Sequence, residues 1–414
     1  MGISASSGWR ATRAVLWTIG LLALSATPGR AQDSVAAPVA ADTVSQRDLM
    51  DVLSRIFKGK PKVGTTVTER PNFTLSVLPS FSANPAIGLQ IGISTNALWR
   101  MGDSATTSLS TAYAAVSYTT KKQFNVTLRS AISTSGNTWR FDGDWRYLDT
   151  NQPTYGLGGA QPTSNEAPMK FKLLRFHETG YREVTDGLQL GLGYHLDVYF
   201  DIVDENAVAG ELTPFLNYNG GQTVDHTVSS GVSLNLLHDS RDNPINASRG
   251  FYIRGRLRTN PTWLGTTERW DEMQGEFRTY VALDPRRRQI LAFWVNGWVT
   301  AGHAPYLDLP AIGWDLAGRS GRGFAQGRIR APDLFYTEAE YRRALTRNGL
   351  FGVTLFMSLT SASEPDGTLH GPDAAGGVGL RIKLSKHSNT NIAIDIARGN
   401  RSDFGVYFGT GEAF

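Results

Sequence analysis

From Phe73 to the C-terminus the apolar residues of this chain recur at every second position, and that period constrains what it can become. Val378, Leu380, Ile382 and Leu384 form one face of a segment whose other face is Gly377, Gly379, Arg381 and Lys383. Ile392, Ile394 and Ile396 alternate with Asn391, Ala393, Asp395 and Ala397. Phe351, Val353, Leu355, Met357 and Leu359 alternate with Gly352, Thr354, Phe356, Ser358 and Thr360. Successive side chains of a β-strand point to opposite faces, so these segments have an apolar face and a face that mixes ionised groups with glycine. The two faces need different surroundings, one lipid or core and the other water.

Read this way, the chain is predicted to form strands near 73–80, 87–99, 106–119, 122–134, 138–150, 168–184, 186–203, 226–240, 249–259, 268–284, 288–302, 334–346, 349–360, 374–385, 389–398 and 403–414. Connections at 151–167, 204–225, 303–333 and 361–373 are long, whereas 135–137, 285–287, 347–348, 386–388 and the one near 185 are short. Outer-membrane barrels have this asymmetry, with long loops outside and short periplasmic turns. A soluble sandwich or propeller would also alternate, but many of these strands, at about 11 to 17 residues, exceed the usual soluble length. They match the reach of a tilted strand crossing hydrocarbon. The expected fold is all-β: a transmembrane antiparallel β-barrel of about sixteen strands, with both chain ends periplasmic.

Mean hydropathy is −0.24, and after the N-terminus no apolar run of about twenty residues exists to make a membrane helix. Arg10 and Arg13 precede the apolar run 14–26, and Gly29-Arg30-Ala31 offers small residues, so 1–31 reads as a signal peptide cut before Gln32. Its removal leaves 38 basic residues against 37 acidic, a charge of +1, which gives no electrostatic case for nucleic acid as a partner. Residues 32–70 read as a periplasmic linker. Within it Ser45 is the expected N-cap of a short amphipathic helix over 45–58, with Leu49, Val52, Leu53, Ile56 and Phe57 on one side. Residues 71–414 form the barrel. Ten tryptophans and fourteen tyrosines suit its interface girdles.

The string from His238 to Pro244 (HDSRDNP), followed by Ser248-Arg249-Gly250-Phe251-Tyr252, resembles the strand–turn–strand signature of the BamA/TamA family, the bacterial surface-antigen barrels. Gly321-Arg322-Gly323-Phe324, in the longest outer loop, resembles the family's loop tip. The run from Glu338 to Arg342 resembles the strand after it, Gly405 to Phe414 the closing strand, and Tyr155-Gly156-Leu157-Gly158 also fits. The resemblance implies a sixth outer loop tucked into the lumen, with Arg322 bonded to wall carboxylates. On the alternation, Glu338, Glu340, Arg342 and Asp395 all point inward, with Glu340 the first choice of partner. Ser358 stands where the family usually places another inward carboxylate. Asp239, Arg241, Asp242, Pro244 and Gly250 fit either a functional site or a stable polar turn. Inward Arg254, Arg256, Glu276 and Arg278 fit either a tuned pore or a mutually paired wall.

Family members normally carry periplasmic POTRA modules, and residues 32–70 are too few for one with its own core. The resemblance implies a barrel that assists insertion or passage of a protein or lipid substrate at the outer membrane of a Gram-negative bacterium. Outer-membrane lipid, such a substrate and a separate periplasmic partner are the expected partners. A passive or gated pore and an outer-membrane hydrolase are the alternatives. Among enzyme signatures, no Gly-x-Ser-x-Gly elbow, Walker A loop or His-Glu-x-x-His pair occurs, and the histidines lack metal-ligand spacing, so no catalysis, cofactor or metal is expected. The closing seam is expected to be soft, because Gly405, Gly409 and Gly411 add backbone freedom to the last strand and Pro79 cannot donate a ladder bond from the first. Phe414 is expected to close the outward row Phe404, Val406, Phe408, interrupted by Glu412, and Ser76 to face Val406 across the seam.

Overall fold

A computed structural model describes residues 46–49, 51–52, 66–70, 73–84, 88–103, 105–185, 187–207, 211–315, 318–386, 389–401 and 403–414. The leader expected over 1–31 and most of the 45–58 helix lie outside them. The strands in the described residues are β1 (Thr66–Arg70), β2 (Phe73–Asn84), β3 (Gly88–Trp99), β4 (Ser110–Thr119), β5 (Phe124–Ser133), β6 (Trp139–Thr154), β7 (Ala167–Thr185), β8 (Leu188–Asp204), β9 (His226–Asp239), β10 (Gly250–Asn260), β11 (Trp270–Ala282), β12 (Gln289–Gly302), β13 (Asp333–Ala344), β14 (Phe351–Ser363), β15 (Leu369–Ser385), β16 (Thr390–Gly399) and β17 (Phe404–Thr410).

From β2 to β17 each strand pairs antiparallel with the next in one sheet. β17 comes back to β2 through one register pair, Val406↔Ala83. The sixteen wall strands correspond one to one with the expected segments, but several ends move. β6 runs through Gln152 and Pro153 to Thr154, and β15 starts at Leu369, so two loops expected to be long shrink to 155–166 and 364–368. Turn-type residues there signal a loop, yet Pro153 sits opposite Pro168 in a continuing ladder.

β1 corrects the linker reading. Residues 66–70 form a strand that folds back on β2, from Thr66↔Val77 to Arg70↔Phe73. β2 has β3 on one side, so β1 lies along the same edge that β17 touches at Ala83.

The two faces of the wall invert a soluble protein. Outward positions expose Leu192 (72%), Met357 (60%), Ile93 (59%) and many similar side chains, while the face turned to the interior buries Glu340 (1%), Glu338 (3%), Arg258 (4%) and Arg381 (4%). A continuous apolar exterior of this extent is untenable in water, whereas an apolar band around a polar interior is the pattern of a membrane barrel. Described residues of the loop between β12 and β13 occupy part of the interior. Residues of the loop 303–332 join two buried clusters: Ile312, Phe324, Ile329 and Ala331 pack with Trp294 and Tyr336 of the wall, and Tyr306, Leu307 and Trp314 with Phe171 and Tyr199.

Antiparallel alternation puts the start of β2, the end of β17 and the turns 186–187, 283–288, 345–350 and 386–389 on one rim, called here the short-turn rim. The loops 155–166, 205–225 and 303–332 stand at the other. The 205–225 loop holds a short helix, α1 (Pro214–Tyr218), capped by the Thr213 hydroxyl accepting from Leu216 N at 3.2 Å. The described part of the N-terminal segment touches the short-turn rim. Arg47 N donates to Asn348 O, and Lys386 Nζ pairs with Asp51 at 2.9 Å. Asp48 and Asp51 exchange backbone-to-carboxylate bonds at 3.0 and 3.1 Å. This reciprocal cap moves the helix start three residues beyond the expected Ser45.

Candidate functional site: a latched lumen and a weak seam

The loop 303–332 is built as a self-supporting hairpin. Ile312 N donates to Ile329 O and Ala331 N to Pro310 O, each at 3.0 Å. Arg330 Nη1 donates to the carbonyls of Tyr306, Leu307 and Leu309 at 2.9 to 3.2 Å. At the tip the Asp315 carboxylate accepts from the backbone N–H groups of Gly318, Arg319 and Ser320. Gly321 has φ +79°, and a Cβ there would collide with Ile312; Gly323 has φ +102° and lies against the Arg398 backbone. Only glycine meets both demands, and the paired glycines aim Arg322 at the wall.

Arg322 meets three carboxylates. Nη1 donates to Asp395 Oδ2 at 2.7 Å and Nη2 to both Glu338 and Glu340. Its guanidinium carbon stands 3.5 Å from the Phe356 ring centroid, a cation–π contact that supplements the ion pairs. The sequence singled out all four charged groups. It did not single out Tyr336, which bonds Glu338, or Tyr407, whose hydroxyl accepts from Gly323 N at 2.9 Å. Ser358 lies opposite Glu338 in the ladder, and Phe356 opposite Glu340. Further charges bond these carboxylates in turn: Arg381 bonds Asp395 at 2.5 Å and Glu412 at 2.7 Å, and Arg342 bonds Glu340 at 2.7 Å. Arg381 and Arg342 were legible as inward charges; Glu412 was not.

The reason is that the chain leaves the wall after Thr410. Gly411 takes φ +83°, Glu412 turns into the lumen toward Arg381, and Phe414 follows. Its ring lies 5.4 Å from Trp294 and 6.3 Å from Tyr280, and its main-chain oxygen accepts from Arg342 Nη2 at 2.9 Å. This overturns the expectation that Phe414 closes the outward row; Phe404 and Phe408 do remain outside, exposed. The glycines differ in use. A Cβ on Gly405 would strike the Tyr407 ring, so Gly405 makes room for the residue that holds Gly323, whereas Gly409 has open space around it.

The turn after β9 is a compact polar knot. Arg241 makes a two-pronged bond to Asp239 at 2.8 and 2.7 Å and stacks 4.6 Å over Tyr252. Asp242 accepts from Ser248 N at 2.8 Å and from Ser248 Oγ at 2.5 Å, and Arg287 reaches it from the next turn at 3.1 Å. Burial raises the Asp242 pKa, but the Ser248 and Arg249 hydrogen bonds and Arg287 outweigh it and hold the carboxyl below its usual range. Pro244 offers its carbonyl to Arg241, and Gly250, at φ +93°, abuts the Ser240 carbonyl. The knot reaches into the lumen: Ala247 is buried in the same cluster as Phe414, and Asn246 bonds Asn389 across the rim. Of the inward charges of β10 and β11, Arg256 pairs with Glu272, Arg258 with Asp197 and Arg278 with Glu276, whereas Arg254 Nε is buried without a hydrogen-bond partner.

At the seam the register places Ala83, not Ser76, opposite Val406; Ser76 faces Val67 of β1 instead. Because the segment after Thr410 turns inward, it cannot pair with the lower part of β2. β1 occupies that length.

No protein-family model matches the chain, and no curated protein matches it in sequence. Two solved barrels share its fold. BamA from Haemophilus ducreyi lacking POTRA domains 1–3 is 14% identical with a TM-score of 0.52, over 87% of this chain and 76% of that one. CdiB from Escherichia coli is 9% identical with a TM-score of 0.50, over 88% of this chain and 67% of that one.

Proposed function

We propose that this chain is an outer-membrane barrel of the BamA/TamA type in a Gram-negative bacterium, which assists a protein or lipid substrate into or across the membrane through the seam between β2 and β17. The single observation that carries this reading is that seam: one register pair joins β17 to β2, beside ladders that elsewhere run the length of the strands. An unpaired backbone group in hydrocarbon costs several kcal/mol, so a barrel with no use for an opening gains from sealing it. Here the edge of β2 is covered by a five-residue strand of the same chain, and an incoming strand would find main-chain groups ready to pair. The latch formed by Arg322 keeps the lumen occupied, which favours passage at the wall over conduction through the centre. Reconstitution into liposomes with two readouts, ion conductance and insertion of an unfolded barrel protein, tests the reading. Accelerated insertion with little current supports it. A steady current with no acceleration supports a passive pore.

A further inference from the structure

All 12 residues of β2 pair with β3 on one side, from Phe73↔Trp99 to Asn84↔Gly88. The other side is used unevenly. Phe73 to Val77 pair with β1 and Ala83 with Val406 of β17, and among the described residues no register pair covers 78–82. The complete ladder to β3 holds these residues extended, so the main-chain groups on their other side form a template for a further strand.

β1 is suited to a temporary stay. It makes five register pairs, fewer than a strand running the whole of β2 would make, and its first residue, Thr66, stands opposite Val77, next to the uncovered length. β17 cannot take its place, because the chain bends inward at Gly411. The segment ahead of β1 is held at the short-turn rim by Asp51 and Lys386 at 2.9 Å, and the segment after it enters β2, so a displaced β1 stays tethered at both ends. A strand tethered in this way competes at an effective concentration of roughly millimolar. It excludes short or weakly pairing segments and yields to a strand that makes more pairs.

Resting on the reading of the seam given above, we propose that β1 is an autoinhibitory strand, a resident competitor for the edge of β2 on which a substrate strand pairs. The 78–82 length is the foothold. An incoming extended strand begins to pair there, and its ladder then advances from Val77 toward Phe73 as β1 peels away from Thr66 to Arg70. When the substrate strand leaves, the tethered β1 returns.

The test uses the full chain in liposomes and, as substrate, a labelled second copy of the same chain unfolded in urea, with the gain of a fast-running unboiled gel band as the readout of insertion. Successive N–H groups of a strand point to opposite sides, so one of two adjacent residues donates to β2, and Val67→Pro with Thr68→Pro removes that bond. This should speed insertion about fivefold, the factor that one backbone hydrogen bond contributes. Val67→Cys with Ser76→Cys, a register pair in a chain without other cysteines, should cross-link on oxidation and slow insertion to the rate in empty liposomes, with recovery on reduction. Unboiled gel mobility checks that each variant is a barrel; if the proline variant is not, the cross-link decides alone. Wild-type acceleration that both variants leave unchanged overturns the autoinhibition and leaves the seam reading standing. No acceleration by the wild type or by the proline variant overturns both.

Discussion

Arg322 is the residue on which the interior turns, because its removal leaves three buried carboxylates without the cation they share. Removing one side of such a set costs about 3–5 kcal/mol. Arg322→Ala should therefore raise the protease sensitivity of the 303–332 loop, and Glu340→Ala should do the same. The double variant should fall short of the sum, because residues in contact couple; additive losses would show that the two do not act through one contact. A second residue gives the loop a pH dependence. Asp308, on the same loop, is buried beside Asp197, with Ser229 Oγ donating to it at 2.6 Å. Burial first, and then the Asp197 charge, push its pKa up to about 7. A carboxyl whose folded pKa lies above its unfolded value contributes stability that is full below the unfolded pKa and lost as pH rises through about 7. Loop protection from protease should thus decline as pH rises through neutrality in the wild type and stay level in Asp308→Asn. A wild-type profile that improves with rising pH would contradict this. Glu338, Glu340 and Asp395 were legible because alternation alone assigns an inward face, and Arg322 because the Gly-Arg-Gly-Phe tip resembles that of a known family. Glu412 was not, since in the alternation it only interrupts the row of Phe404, Val406 and Phe408, and the turn at Gly411 is what brings it inside.

At the scale of elements, the sixteen wall strands were visible because each has to satisfy two environments at once, and period two records that demand in every segment. Strand ends were less visible, as at Gln152 and Pro153, where the ladder continues past turn-type residues toward the rim opposite the short turns. β1 was invisible for a different reason. Five residues carry little periodic signal, and their pairing depends on an edge of β2 that stays free only because the chain after Thr410 bends inward. The turn after β9 shows local chemistry that the sequence did announce. Gly250 combines φ +93° with the Ser240 carbonyl against its α-carbon. Gly250→Ala should destabilise this turn by about 1–3 kcal/mol through backbone strain alone, measured as a lower unfolding midpoint. An unchanged midpoint would mean that the knot can relax around a side chain.

The whole molecule is an inverted protein, with charge inside and apolar surface outside, and its stability rests on ladders that continue around the wall. Such a barrel should resist detergent until heated, running faster unboiled than boiled on a gel; identical mobilities would contradict the fold. The proposed function depends on the one place where the ladder thins. The register makes the measurement direct, since paired α-carbons of adjacent antiparallel strands lie roughly 4.5 to 5.5 Å apart, within the span of a disulfide. Ala83→Cys with Val406→Cys should cross-link on oxidation and join β2 to β17. The account predicts that the oxidised double variant loses substrate insertion in liposomes while its conductance stays unchanged, and that reduction restores insertion. Full insertion activity in the cross-linked protein would contradict it.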